Sequence, residues 1–244
     1  VITAVGVVVP ARDEAPLVGA CVRALDAALR HLPAGVSRAV CVVADRCGDA
    51  TADVARAAFG EVPGVVVTTR SARTVGEVRD LGVARVRAAL GFPVPKRTLL
   101  LSTDADTRVT PGWARAHLAR ARQGYHAIAG TAELAEPFSA SARALARYDL
   151  VLDRARTADG HGSVYGANLG VRADAFDVVG GFGERATGED HDLWRRLGQA
   201  GFRRCFESRA PVVTSARLAG RAPDGLAALL RGLAEDTLEE DTVA

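Results

Sequence analysis

Asp104 and Asp106 are residues whose types and spacing suggest chemistry. They close the apolar run Thr98–Thr103 (TLLLST), which reads as a β-strand. In extended backbone, residues i and i+2 project to the same side, so both carboxylates can face one point. Ligands of open α/β sheets bind at such strand ends. Hard divalent cations such as Mg²⁺ or Mn²⁺ prefer oxygen ligands and commonly bridge one or two carboxylates to a diphosphate. The other reading is that the pair simply caps the turn before Pro111. A second pair, Asp190 and Asp192, serves as a control. It falls at a predicted helix start, where i and i+2 diverge by about 200° and cannot hold one ion together. Taken alone, Glu189 and Asp190 there are first-turn acids of the kind a helix dipole favours.

Two further acids follow strand-like runs: Asp13-Glu14 after Ala4–Val9 (AVGVVV), and Asp45 after Ala39–Ala44 (AVCVVA). With Asp104, three strands thus deliver acids to one edge of a sheet. Asp45 either accepts hydrogen bonds from a nucleoside base or ribose, or shapes an Asx-turn.

The elements that must position these acids alternate along the chain. Pro10 ends the first strand, and an amphipathic helix follows over Ala15–His31. After the second strand come a helix over Thr51–Phe59, a strand over Val65–Thr69, a helix over Val75–Leu90 and the strand Thr98–Thr103. Alternation of this kind specifies an α/β fold with a mostly parallel sheet flanked by helices. The second half reads as a helix from Pro111 to Gln123, a strand over His126–Ala132 and a charged helix over Ser139–Arg156. A loop at Asp159–Gly162, a strand over Ser163–Val171, a Gly180–Gly183 turn and a helix from Glu189 follow. The tail is a helix from Pro223 that ends in an acidic run, Glu235 to Asp241.

Composition narrows the function classes. The chain has 244 residues, 48% of them hydrophobic, and a formal net charge of +2. That charge argues against a nucleic-acid or anionic-membrane partner. No apolar run approaches the ~20 residues of a membrane span. The chain opens with Val1-Ile2-Thr3 and enters a strand directly, which predicts a soluble protein without a signal peptide. Cys21, Cys41, Cys47 and Cys205 lack metal-ligand spacing, which predicts reduced thiols and a cytoplasmic setting. His31, His117, His126, His161 and His191 lack it too, although His161 sits in a glycine-rich loop that suits contact with an acceptor. Trp113 and Trp194 are expected in the core. Lys96 is the only lysine among 31 basic residues, an actinobacterial-looking coding bias rather than a binding surface. Hydrolase, NTPase and dehydrogenase readings lack their Gly-x-Ser-x-Gly, P-loop and Gly-x-Gly-x-x-Gly signatures. A nucleotidyltransferase wants a glycine-rich loop after the first strand, and here that strand runs into Pro-Ala-Arg-Asp-Glu.

Six runs, in order and spacing over about Val5 to Leu197, resemble the family 2 glycosyltransferases. They are Val7–Glu14 (VVVPARDE), Val43–Thr51 (VADRCGDAT), Leu99–Asp106 (LLLSTDAD), Gly166–Arg172 (GANLGVR), Gly180–Phe182 (GGF) and Gly188–Leu193 (GEDHDL). The resemblance implies the GT-A fold, a Rossmann-like parallel sheet with a smaller, mixed acceptor-side sheet. It divides one domain into a nucleotide-sugar half (1–110), an acceptor half (111–222) and a C-terminal helix with its tail (223–244). It also implies transfer of a sugar from a UDP or GDP donor to an acceptor hydroxyl, with inversion and with Mn²⁺ or Mg²⁺ as cofactor. Carried over by position, Pro10, Ala11, Arg12, Glu14 and Asp45 line the nucleoside pocket. Arg79 joins them, because Gly76–Gly82 (GEVRDLG) resembles the family's Gly-x-x-Arg-Asn-x-Gly, with Asp80 where Asn is usual. Asp104 and Asp106 match the metal-binding pair, with Asp106 the direct ligand. Asp190 of Glu189-Asp190 matches the general base. Gly166 and Asn168 match the stretch beside the transferred sugar. Arg217 and Arg221 either close over the diphosphate or sit in solvent. No Gln-x-x-Arg-Trp motif is present, which argues against a processive polymerase. Two alternatives stay open: a retaining transferase of the glucosyl- or mannosyl-phosphoglycerate synthase kind, and a non-catalytic nucleotide-sugar-binding protein. A homodimer contact through the acidic tail is a further possibility.

Overall fold

The computed structural model describes residues 1–139, 141–220 and 225–241, the stretch 236–241 in backbone only. Arg221, Pro223 and the acidic side chains after Glu235 therefore lie outside the described residues.

The first half folds around three largely buried parallel strands: β1 (Ala4–Ala11), β2 (Ser37–Asp45) and β4 (Thr98–Ser102). β1 lies between the other two, and β3 (Gly64–Thr69) extends the sheet beyond β2. Side chains of a strand alternate between faces, and here the alternation divides the core in two. Val5, Val7 and Val9 of β1 pack with Val18, Val22 and Leu25 of α1 (Ala15–Arg30) and with Trp113. Val8 points the other way, to Val78, Val83 and Val86 of α3 (Val75–Ala89). That helix lies so close that a Cβ on Gly6 would meet Val86 Cγ1 at 2.9 Å. A reciprocal capping box, Thr74 with Glu77, fixes where α3 starts. The short α2 (Thr51–Ala58) packs beside α1.

The second half continues the same sheet with mixed pairing. The strand order is β3-β2-β1-β4-β7-β6-β8-β5, with β7 (Leu169–Arg172) antiparallel to β4 and to β6 (Ala127–Leu134). β8 (Arg204–Thr214) runs parallel to β6 and antiparallel to β5 (Thr107–Val109). The mixed part is thus continuous with the parallel part. The other helices are α4 (Trp113–Arg122), α5 (Ala142–Ala155), α6 (Ala173–Val178), α7 (Glu189–Gln199) and α8 (Leu226–Asp241). Phe138, Ala144, Ala216 and Leu230 form a small separate cluster that includes residues of α5 and α8.

Three expectations need correction. Pro10 does not end β1; it lies within it, opposite Val43 of β2. β4 accompanies β1 only as far as Val8, so from there β1 has an open flank where a residue without an N–H is tolerated. The strand expected over Ser163–Val171 is confined to β7, because Gly166–Asn168 forms a 3₁₀ turn instead. The helix expected from Pro111 begins at Trp113. β5, α6 and β8 had no counterpart in the sequence reading. Among the described residues no helix is long and apolar enough to cross a membrane.

Candidate active site

Three loops leave the C-terminal ends of β1, β2 and β4 on one edge of the sheet, as the acids predicted. The first two are knitted together. Gly48 donates to Asp13 Oδ1 at 2.7 Å, Ala15 N to Asp49 Oδ2 at 3.0 Å and Glu14 N to Thr51 Oγ1 at 2.7 Å. Asp13 (φ 49°) and Arg46 (φ 50°) are both left-handed without being glycine, a strain concentrated where the chain turns towards the site. Asp13, Cys47 and Asp49 bring ligand atoms within 4.8 Å of one another, but the two carboxylates already serve this loop closure. Asp45 is 4% exposed. Its Oδ2 accepts from Arg46 Nε at 2.9 Å and Nη2 at 2.7 Å, while its Oδ1 is buried without a partner. A buried oxygen left unpaired costs roughly 1–3 kcal/mol, which a ligand's N–H would recover. Pro10 and Ala11 are within β1, and Arg12 is exposed.

The third loop departs from expectation in its backbone. Thr107 N donates to Asp104 O at 3.1 Å, so Asp104–Thr107 is a turn rather than extended chain. The two aspartates accordingly have different partners. Asp104 Oδ1 accepts from Arg79 Nη2 at 2.7 Å, and Asp106 Oδ2 lies 2.9 Å from Arg217 Nη2. Arg217 also grips Glu14, with contacts of 2.7 and 3.0 Å. The two acids still feel each other. Burial, then the charge of Asp104, pushes Asp106 up to about 6 against the pull of Arg217. An oxygen-only donor set whose members repel is what a hard divalent cation relieves, so Asp104 and Asp106 fit Mn²⁺ or Mg²⁺.

Arg79, expected at the nucleotide, is held by residues of the site itself. It is 3% exposed and donates to Ser102 Oγ at 2.6 Å, Asp104 Oδ1 at 2.7 Å and Glu189 Oε1 at 3.2 Å. Its guanidinium carbon stands 5.6 Å from the Phe182 ring centre. Burial lowers its pKa, but Asp104, Glu189 and Asp190 together raise it further, so the cation is secure. Arg79 therefore ties the β4 loop to α7. Its neighbour Asp80 accepts from Phe182 N at 2.9 Å and Gly183 N at 3.2 Å, anchoring the glycine turn before α7. Two oxygens receive two N–H groups there, which an asparagine's single oxygen would do less well.

At the start of α7, Glu189 is 6% exposed, and burial raises its pKa against the charge of Arg79. Asp190 Oδ2 accepts from Gly166 N at 2.7 Å, and Oδ1 from its neighbour His191 N at 2.7 Å. A Cβ on Gly166 would meet Arg79 Nη2 at 2.5 Å, so a larger residue there would have to displace the buried guanidinium. Glu189, Asp190, Gly166, Arg79 and Asp104 thus form one connected group, and Asp106, Arg217 and Glu14 a second beside it.

Asn168 does not join them. It is fully buried, with Oδ1 accepting from Trp113 Nε1 at 2.7 Å and bonded to His117 Nε2 at 2.8 Å. Its Nδ2 donates to the carbonyls of Thr131 at 2.8 Å and Ala210 at 3.1 Å. Every bond an amide can make is used, so Asn168 joins β6, β8 and α4 rather than presenting its side chain to a ligand. Trp113 is in the core as expected, whereas Trp194 is partly buried beside Phe206 and Arg204. His161 rests on Phe206 with ring centres 4.9 Å apart and on Ala129 O at 3.1 Å. Sequence reasoning missed the Arg217 clasp on Glu14 and Asp106, and the role of Ser102. No local signal reveals either, because Arg217 and Glu14 are 203 positions apart.

A mixed sheet of this order, with acids gathered at the ends of its parallel strands, defines the GT-A glycosyltransferase fold. The sequence matches the family described as Glycosyltransferase like family 2 over residues 3–230, and the chain belongs to that family. No curated protein sequence matches it significantly. Among solved structures, S. aureus TarS 1-349 in complex with UDP-GlcNAc is similar with a TM-score of 0.63 at 12% identity. That match covers 96% of this chain and 66% of that one. The mannosyltransferase PcManGT from Pyrobaculum calidifontis, in complex with GDP-Man and Mn²⁺, gives 0.59 at 16% identity over 98% of this chain and 75% of that one. Glucosyl-3-phosphoglycerate synthase from Mycobacterium tuberculosis, with Mn²⁺, UDP-Glc and glycerol 3-phosphate, gives 0.52 at 16% over 97% and 79%. The chain spans 60% of a second TarS 1-349 structure and 39% of the longer TarS chain. At such identities the likeness is one of fold.

Proposed function

We propose that this chain is a glycosyltransferase that moves a sugar from a nucleoside-diphosphate donor to an acceptor hydroxyl. The observation that carries the proposal is the connected group in which Arg79 links Asp104 to Glu189 beside Asp190. Residues 1–110 bind the nucleotide sugar and 111–222 face the acceptor, with the C-terminal helix α8 (Leu226–Asp241) after them.

Asp45 Oδ1 takes an N–H of the base, a role its lack of a partner supports. Pro10 to Glu14 flank that pocket. UDP and GDP are the leading nucleotides, since they occur in the TarS and PcManGT structures. Asp104 and Asp106 hold Mn²⁺ or Mg²⁺, which when bound neutralises charge on the departing diphosphate. Arg217 turns a guanidinium to the phosphate oxygens. Asp190 accepts the proton of the acceptor hydroxyl as that oxygen bonds to the anomeric carbon and the bond to the diphosphate breaks. Attack from the opposite face inverts the anomeric centre. The retaining alternative has a neighbour in the M. tuberculosis synthase, and the anomeric configuration of the product, read by NMR, separates the two. The unpaired thiols support a reducing, cytoplasmic setting in a high-GC bacterium.

The test is thermal unfolding with UDP, GDP, dTDP or CDP, each with and without Mn²⁺ or Mg²⁺. A ligand at ~100 times its dissociation constant adds about 2.7 kcal/mol, a rise of several degrees for a chain of this size. One diphosphate should stabilise the protein only with metal, and Asp106→Ala should remove the effect. No response to any nucleotide would overturn the reading.

A further inference from the structure

Asp104 and Asp106 each carry a guanidinium, and the two are held in different ways. Arg79, on Asp104 Oδ1, has a side chain only 4% exposed and is fixed by Ser102 and Glu189 as well. Arg217 has a side chain 31% exposed and stands three residues past the end of β8. Its Nη2 lies 2.9 Å from Asp106 Oδ2, and its two terminal nitrogens meet Glu14 at 2.7 and 3.0 Å. The other oxygen of Asp106 accepts from Thr107 Oγ1 at 3.4 Å. Ser215 N donates to the backbone oxygen of Asp106 at 3.3 Å. That tie does not involve the guanidinium, so the Arg217 side chain can change partners while its segment stays beside the acid turn.

A divalent ion that takes Asp106 Oδ2 as a ligand competes with Arg217 for the same oxygen. The guanidinium already offsets the carboxylate's charge, and a second cation within a few ångströms of it is repelled. Both terminal nitrogens of Arg217 are committed to carboxylates, so the side chain leaves only for other oxygens. A nucleoside diphosphate offers them, since the fork of a guanidinium matches phosphate as well as carboxylate. We propose that Arg217 gates the metal position, holding Asp106 against a bare divalent cation and yielding it when a diphosphate arrives with the ion. The chain thus takes cation and diphosphate as a pair, and each raises the affinity for the other by the same factor. The inference rests on the reading of Asp106 as a metal ligand and adds the condition under which the ion binds.

The experiment is titration of the full chain with Mn²⁺ alone, followed by the paramagnetic resonance of the free ion, and calorimetry with Mn²⁺ and UDP or GDP together. The wild-type chain should bind Mn²⁺ alone weakly, and at least tenfold more tightly with the diphosphate. Arg217→Gln keeps a donor for Glu14 but no charge, and should bind Mn²⁺ alone at least tenfold more tightly than the wild type. Arg217→Lys keeps the charge and should stay weak, a split that a merely structural role would not produce. Adding Asp106→Ala to Arg217→Gln should abolish the gain, and a gain that survives it overturns the gate. So does an Arg217→Gln chain that binds Mn²⁺ no better than the wild type while both still bind a nucleotide with Mn²⁺; that result leaves the transferase reading standing. Tight Mn²⁺ binding by Arg217→Gln, with no nucleotide bound under any condition, keeps the competition at Asp106 and overturns the transferase reading instead. Mn²⁺ bound by no chain under any condition overturns both.

Discussion

At the scale of the residue, Arg79 shows how much one buried cation can organise. Its three donors reach Ser102 at the end of β4, Asp104 in the turn that follows it and Glu189 in the first turn of α7. Arg79→Ala leaves the buried Glu189 without its counter-charge, and breaking such a pair costs about 3–5 kcal/mol. Urea unfolding should show a loss of that order, and Arg79→Lys should recover only part, because one ammonium cannot span the fork. Asp190→Asn makes a contrasting case. Its partners are two backbone N–H groups rather than a charge. Its one amide oxygen can serve only one of them, so the variant should lose about 1 kcal/mol of stability while losing transfer at least a hundredfold. Turnover at the wild-type rate would remove Asp190 from catalysis. These roles were unequally visible in the sequence. The acids at strand ends stood out because a strand-end carboxylate is a local pattern. The commitment of Arg79 to carboxylates, and of Asn168 to the core, depends on partners tens of residues away that no spacing reveals.

At the scale of the element, the 3₁₀ turn, α4, β6 and β8 meet at Asn168 and His117, and that junction titrates. His117 is fully buried, and its Nε2 must carry the proton to meet the amide oxygen of Asn168. Burial brings its pKa down to about 4 against the pull of Asn168. The unfolded histidine binds a proton near 6.5, so the unfolded chain is the better proton acceptor between about 4 and 6.5. Stability should therefore fall as pH drops through that window, by roughly 3 kcal/mol in all. His117→Gln should flatten this limb of the stability–pH curve. A second limb begins lower. Hydrogen bonds from Arg209 and Arg120 outweigh burial and hold Glu207 at about 2, so its contribution is lost as pH falls from about 4.5 towards 2. The same strand explains why β8 was not legible. Its sequence RCFESRAPVVT carries Arg204, Glu207 and Arg209, which hide the period of two, although Glu207 is only 1% exposed and paired. The three-residue β5 is too short to show a period at all. The elements β1 to β4 and α1 to α3 were read to within about two residues at most ends, because central parallel strands are continuously apolar and their helices amphipathic.

At the scale of the whole molecule, the sheet order sets when the site can exist. β4 lies at the centre of the sheet, β5 at its far edge, and the acids Asp104 and Asp106 stand on the span between them. β5 pairs with β8, Thr107 opposite Thr214, and their side chains bond at 2.9 Å, while its other support is α1. The anchor of the acid turn thus leaves the ribosome 107 residues after the turn it holds. A chain halted after Ala200 can pair β1 with β2 and β4, and β2 with β3, yet has no strand partner for β5 and no Arg217 for Asp106. Such a fragment should show no stabilisation by nucleotide with Mn²⁺, even where its circular dichroism retains helix. Synthesis therefore passes the acids well before the strand that anchors them, a built-in delay that keeps a half-made enzyme from engaging a costly donor.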